Sequence, residues 1–268
     1  MIATLHIQTA WINNRTYLQN SYCTIPFKVA SITEDKNAQT LRLMLMSSSP
    51  GILDGDEYRI KIELAKNSSL QLHTQSYQRL FTMKQQALQQ LEVHLADNTS
   101  FSFIPHPSVP HEQSNFLCRN KIYLSNNCSL IFGEILTCGR KLNGEVFLFS
   151  KFHTITEIFI NNKLIIKENL LIQPSTINVN AIGQLQGYTH QASLIYLDES
   201  ADIKKLAVTI NELLLSENEI SVGITEAPIN GMIVRLLGQK AEQLFKCLKL
   251  IASSLPQTNH LKPVAYAI

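Results

Sequence analysis

Asp54-Gly-Asp-Glu-Tyr-Arg-Ile-Lys-Ile-Glu-Leu64 is the stretch that decides the fold. After the Asp-Gly-Asp turn, Tyr58, Ile60, Ile62 and Leu64 alternate with Arg59, Lys61 and Glu63. Period two is the pattern of a strand with one dry and one wet face. The alternation recurs outward from this stretch, in Leu41, Leu43 and Leu45 on one side and Leu70, Leu72, Thr74 and Ser76 on the other. Further strands are predicted at 99–104, 121–124, 129–136, 145–149, 155–160, 164–167 and 193–197. Turn residues separate them: Lys66-Asn67-Ser68, Ala96-Asp97-Asn98, Asn126-Asn127, Asn143-Gly144 and Asn161-Asn162. Strands recurring at intervals of about ten residues point to an all-β body.

Helical spacing enters only late. Ile203, Leu206, Ile210 and Leu213 share one face, with Asp198 or Ser200 as the cap, and Leu244, Leu248, Ile251 and Leu255 share another. Between them, 220–225 and 232–237 flank Asn230-Gly231, a hairpin signal. Residues 85–90 read as a helical turn, and no internal repeat or low-complexity segment is visible. The expected fold is mainly β: a single domain of stacked antiparallel or mixed strands with two helices in the C-terminal half. Its parts are a strand-rich 1–198, a helix at 199–216, a hairpin at 219–237, a helix at 239–255 and a flexible tail at 256–268.

Composition sets the outer limits. The 268 residues suffice for one large β domain with a substantial core. A 45% hydrophobic and 16% charged content is that of an ordered chain. A net charge of +2 gives no reason to expect nucleic acid or an anionic membrane as partner. No apolar run is long enough for a transmembrane helix, and the N-terminus lacks a basic segment followed by an apolar block. Five cysteines without a compact framework fit a reducing, cytoplasmic setting.

The chemistry concentrates in Gly133-Glu-Ile-Leu-Thr-Cys-Gly-Arg-Lys-Leu-Asn-Gly-Glu145. Leu130, Phe132, Glu134 and Leu136 share one parity, and Ile131 and Ile135 make the other side apolar as well. A carboxylate on such a strand must be paired, hydrated or neutralised. Two readings of Glu134 stay open: a buried ion pair with Arg140 reaching back from the turn, or a carboxylate lining a wet cavity. Asp56 shares parity with Tyr58, Ile60 and Ile62, and Thr74 with Leu70 and Leu72. Asp56, Thr74 and Glu134 are therefore expected to border one internal polar passage, with Arg140 as counter-charge and Glu145 as a flanking strand residue of the passage or an interface. Asp54-Gly55-Asp56 lacks the later oxygen ligands of a calcium loop and reads as a tight turn. Cys118, Cys128 and Cys138 lack zinc-site spacing and read as buried thiols. His106 and His111 flank a proline-rich loop and are candidate metal contacts. The nucleophile-elbow, phosphate-loop and zinc-protease motifs are all missing from the sequence.

Five stretches, in order, resemble the urease accessory protein D family, also called H. They are Pro50-Gly-Ile-Leu-Asp-Gly-Asp56, Thr74-Gln-Ser-Tyr-Gln-Arg-Leu-Phe81, and Ile104-Pro-His-Pro-Ser-Val-Pro-His111. The fourth is Gly133-Glu134 with Gly139-Arg140 and Gly144-Glu145, and the fifth is Val234-Arg-Leu-Leu-Gly238. The resemblance implies a non-enzymatic maturation factor that joins the helical accessory protein F and the GTPase G on apo-urease. It implies nickel in transit through an internal, partly hydrated route, with no permanently bound cofactor. Arg235, Leu244, Leu248 and Ile251 are the expected partner-binding residues near the C-terminus, together with the tail. His73, His106 and His111 stand where the family commonly has other residues.

Two other classes compete. A β-rich module binding carbohydrate or peptide would expose aromatic platforms, and Trp11 is the single tryptophan. A metal-dependent hydrolase built on His106 and His111 would need a third ligand.

Overall fold

In the computed structural model, which describes residues 1–35 and 37–256, seventeen strands and two helices follow one another along the chain. They are β1 (Ile2–Ile12), β2 (Arg15–Cys23), β3 (Phe27–Ser31), β4 (Leu41–Ser47), β5 (Glu57–Leu64), β6 (Ser69–Thr74), β7 (Gln78–Leu80), β8 (Ala87–Leu95) and β9 (Ser100–Phe103). Next come β10 (Ser108–Pro110), β11 (Asn115–Leu124), β12 (Ser129–Leu136), β13 (Lys151–Ile160), β14 (Lys163–Ile172) and β15 (His190–Asp198). Helix α1 (Ile203–Leu214), the hairpin β16 (Ser221–Ala227) and β17 (Gly231–Gly238), and α2 (Ala241–Ser254) complete it. The mainly-β fold with two late helices is as expected. The predicted tail lies outside the described residues from 257 onward.

The strands form two sheets. One runs β14-β13-β11-β8-β5-β1-β2 and the other β16-β17-β15-β12-β9-β6-β4-β3, with β7 and β10 attached to the second. The inward parities of both, such as Leu5, Ile62 and Val93 against Leu43, Leu72 and Leu130, form one core. A second core lies on the outer side of the second sheet, where α1 and α2 cover Ile131, Leu194 and Val234. Strand β12 is therefore covered on both faces, as its apolar residues of both parities require.

The centre of the molecule is a coil that repeats three times. β5, β8 and β11 lie parallel in the first sheet, and β6, β9 and β12 lie parallel in the second. A tight turn joins each pair, and Asn67, Asn98 and Asn127 occupy equivalent corners with φ of 67°, 58° and 53°. Asparagine tolerates this left-handed conformation better than other side chains. The corner amides also stack: Asn98 Nδ2 donates to Asn67 Oδ1 at 3.1 Å, and Asn127 Nδ2 to Asn98 Oδ1 at 3.2 Å. This is an internal repeat the sequence does not display. Only the corner asparagine and the inward apolar parity recur, and the loops between coils differ in length.

Three local expectations fail. Residues 145–149 form no strand, and 85–90 lead into β8 rather than forming a helical turn. The cap of α1 is Asp202, whose carboxylate accepts from the Lys205 N–H at 3.1 Å. The N-terminal hairpin β1–β2 was not among the predicted strands. β1 pairs parallel to β5 and antiparallel to β2, so it extends the first sheet beyond the coil.

Candidate functional site

Glu134 projects from β12 into the space between the sheets. Its neighbours on the strand explain why it can. Gly133 faces the other way, where an added Cβ would lie 3.2 Å from Ile104 and 3.3 Å from Leu248, so glycine permits α2 to approach β12 closely. Across the interior, Asn120 Nδ2 donates to Glu134 Oε1 at 3.2 Å, and the Thr154 and Thr156 hydroxyls reach Oε2 at 3.4 Å. These partners come from β11 and β13 of the facing sheet, where they interrupt otherwise apolar inward rows. All are uncharged. Burial, only partly offset by these hydrogen bonds, pushes the Glu134 carboxyl up to about 7.

The expected ion pair with Arg140 is not formed. Arg140 sits past the end of β12, where Gly139 at φ 120° turns the chain away. Its guanidinium grips Glu145, with Nε 2.9 Å from Oε2 and a second contact from the terminal nitrogen to Oε1. The Glu112 N–H also donates to Glu145 Oε2. Arg140 holds the Glu145 carboxyl below its usual range. The two residues clamp the turn that follows β12, and neither lines the cavity around Glu134.

That cavity, of about 180 Å³, lies between the sheets. A run of polar side chains crosses it. Ser108 Oγ donates to Gln78 Oε1, Gln78 Nε2 to Gln89 Oε1 at 2.7 Å, and Gln89 Nε2 to Cys118 Sγ. Cys118 then donates to Asn120 Oδ1, and Asn120 to Glu134. Burial raises the Cys118 pKa, so its sulfur stays a thiol. Glu168 and Arg235 border the same cavity and pair across the two sheets at 2.5 Å.

Thr74 borders this cavity too and meets His106 there. Thr74 Oγ1 lies 2.9 Å from His106 Nδ1 and accepts from the His106 N–H at 2.8 Å. Both residues also line a larger outer groove of about 1200 Å³, so they stand where the groove and the interior cavity adjoin. Asp56 does not line the cavity. Its buried carboxylate accepts from the Met1 amino group at 3.0 Å and the Leu53 N–H at 2.9 Å, fixing the turn before β5. Parity alone put Asp56 on the inward face, but a strand end leaves the core before its neighbours do.

The remaining predicted residues separate. His111 is buried edge-on against Phe81, at 4.7 Å between ring centroids, away from the Thr74 contact of His106. Cys118, Cys128 and Cys138 are buried free thiols. Leu244, Leu248 and Ile251 are fully buried in the second core, so they cannot be the partner-binding face expected of them. Arg235 points toward Glu168 rather than joining α2 in a common surface. Among the described residues, no group of three or more His, Cys, Asp and Glu is arranged to hold a metal ion.

Asn120, Thr154, Thr156, Gln78, Gln89 and Glu168 were missed. The test that found Glu134 applies to three of them: Asn120 shares parity with Phe116 and Ile122, and Thr154 and Thr156 with Phe152 and Ile158. The strands of Asn120 and Thr154 begin earlier than predicted, which hid those two, whereas Thr156 lies inside the predicted 155–160 and shares parity with Ile158 there.

The aromatic residues on the outer face of the first sheet bear on the carbohydrate alternative. His94, Tyr123 and Phe159 stack across strands at 4.7 and 4.9 Å, with planes 9° and 14° apart. That spacing equals the distance between strands, so the rings stand on edge. Both faces of Tyr123 are covered by its neighbours, and no flat platform is offered there.

The UreD urease accessory protein family model matches residues 1–266. The chain belongs to the UreD family. It is 48% identical over 256 residues to the urease accessory protein UreD of Flavobacterium johnsoniae, covering 95% of this chain and 92% of that one. It is 34% identical to the protein of the same name from Acetivibrio thermocellus, covering 94% and 96%. The same protein of Haemophilus influenzae strain 86-028NP is 34% identical, covering 91% and 94%. The family model thus spans every described residue of this UreD family member, the coil and both helices included. No helix among its described residues is long and apolar enough to cross a membrane.

Proposed function

We propose that this chain is a non-catalytic, cytoplasmic urease maturation factor that bridges the accessory F/G complex to apo-urease and conducts nickel between them. The observation that carries the reading is Glu134. A carboxyl faces neutral hydrogen-bond partners across a cavity between two sheets, at the end of a run of polar side chains. A purely structural carboxylate in an apolar interior would be better served by a cation or by an apolar replacement. Here the nearest groups are amide, hydroxyl and thiol, which solvate without neutralising.

Nickel accepts carboxylate, imidazole and water ligands, and it is the cargo here rather than a resident cofactor. A route must bind its ion well enough to admit it and weakly enough to release it. Single donors strung along a cavity, Thr74 and His106 at one side and Glu134 within, suit that demand better than a closed ligand cage. Any GTP hydrolysis in the process belongs to the G partner, since this sequence has no phosphate-binding loop.

The test is Glu134→Ala in the assembled accessory complex. At unchanged complex yield, nickel delivery to apo-urease is expected to fall several-fold, read as nickel content and urease activity. Full activation by this variant would remove Glu134 from the route.

A further inference from the structure

The corners of the coil border a second cavity, away from Glu134 and its partners. It holds about 380 Å³, within the range of small-molecule sites, and lies where β1 and β15 also end. The coil itself builds one wall. Ser69, Ser100 and Ser129 stand side by side across β6, β9 and β12, and the Asn67-Asn98-Asn127 stack lies two residues before them. Hydroxyls and amides therefore recur at the spacing of adjacent strands.

Three features describe what fits. The first is unmet hydrogen bonding. Ser68 is fully buried on this lining, and its Oγ has no hydrogen-bond partner. Ser129 is 8% exposed, and among the described residues neither its hydroxyl nor that of Ser100 is bonded. Buried polar groups of this kind are costly unless something supplies the missing bonds. The amide stack is open at both ends as well: Asn67 keeps donor hydrogens and Asn127 an acceptor oxygen.

The second feature is charge. No Lys, Arg or His among the described residues lines the cavity, so an anion finds no counter-charge there. Of the two carboxylates, Asp198 already accepts from the Ser200 N–H and hydroxyl and from the Tyr196 hydroxyl. Glu199 is exposed. A cation is thus offered no free buried partner. The third feature is Trp11, which shares the inward parity of Ala3, Leu5 and Ile7 but stands past the core. Its indole is left half-buried on the cavity. An aromatic surface beside groups that both donate and accept suits a ligand with C–H faces and a rim of hydroxyls.

We propose that this cavity binds a small neutral polyhydroxyl compound, a sugar or sugar alcohol. Its hydroxyls bond Ser68, Ser100, Ser129 and the open amide stack, and its carbon skeleton rests on Trp11. Two strand spacings, roughly 10 Å, separate Ser68 from Ser129, which is the reach of a disaccharide or an extended sugar alcohol. Binding here is independent of nickel conduction.

Trp11 is the single tryptophan of the chain, so its fluorescence reports on this cavity alone. Titration of the full chain with maltose, trehalose and sorbitol is expected to give a saturable change with at least one of them, at millimolar concentration. Ser100→Val with Ser129→Val removes two hydroxyls where β-branched residues suit a strand, and should weaken that binding at least tenfold. Ser21→Val, at an exposed strand position outside the cavity, should leave affinity within about twofold. Sugars also stabilise folded proteins without binding, so melting temperatures are compared at equal sugar concentration, and wild type should gain more than the cavity variant. No saturation with any of the three probes, or equal affinity in the cavity variant, would overturn the assignment. Saturation by tetramethylammonium and by none of the sugars would overturn it too, in favour of an organic cation. If the double variant melts below wild type without sugar, Ser100→Val alone, at a partly exposed position, takes its place with an expected loss of at least threefold.

Discussion

The Glu134 carboxyl keeps its proton up to about pH 7 in the folded chain, because burial disfavours the anion, whereas its ordinary value is 4.5. Between those two pH values the native state holds one more proton than the unfolded state. Stability therefore falls as pH rises through this window and levels off above it. Glu134→Gln removes the titration and keeps an amide able to bond Asn120, Thr154 and Thr156. The variant is expected to match wild type near pH 4.5 and to exceed it by about 2–3 kcal/mol at pH 8, on the scale of 1.4 kcal/mol per pH unit. Chemical denaturation at the two pH values measures this, and parallel pH profiles would show Glu134 to be ionised and well solvated. Parity made Glu134 legible in the sequence. Its partner was not, because Arg140 lies only six positions away and spacing cannot show that Gly139 swings it outward. The same limit misplaced Asp56, whose burial was read correctly and whose contacts were not.

At the level of elements, each coil corner depends on an asparagine for both conformation and cohesion. Asn98 is the central one, donating to Asn67 and accepting from Asn127. Asn98→Gly keeps the left-handed backbone but cuts the amide stack, and should cost about 1 kcal/mol. Asn98→Ala loses the stack and adds strain, so it should cost roughly 1 kcal/mol more. Equal stabilities of the two variants in urea denaturation would show that the backbone conformation is unimportant there. Helix α2 behaves differently: its stripe was read correctly from spacing, yet spacing does not reveal what a stripe faces. Leu248 is fully buried against β12. The Leu248→Ala change should destabilise by about 2–5 kcal/mol, the ordinary range for a filled core site. The repeat was illegible because coils with loops of unequal length share register in space without sharing spacing in sequence.

Across the whole molecule, the two sheets meet at one margin through Arg235 on β17 and Glu168 on β14. Both side chains are partly exposed, so this tie is worth at most about 1 kcal/mol. Arg235→Gln should hasten hydrogen exchange in β14 and β16 while leaving β5, β8 and β11 protected. Uniform acceleration across all strands would mean that the margin governs global rather than local opening. Mainly-β character, a single domain and the late helices could all be read from alternation and turn residues. The two-sheet arrangement could not, since strands that pair in parallel are separated by a full turn of the coil. That coil has a further consequence, for length. Because Leu70 faces Phe101 and Phe101 faces Leu130, the chain is ruled in units of 31 and 29 residues. A relative that gained or lost one such unit whole would keep every inward row and every corner aligned. One that changed length by a single residue inside a strand would turn its core side chains outward. Within the coil, the natural currency of insertion and deletion is a complete lap, and the loops between laps are where partial changes can be absorbed.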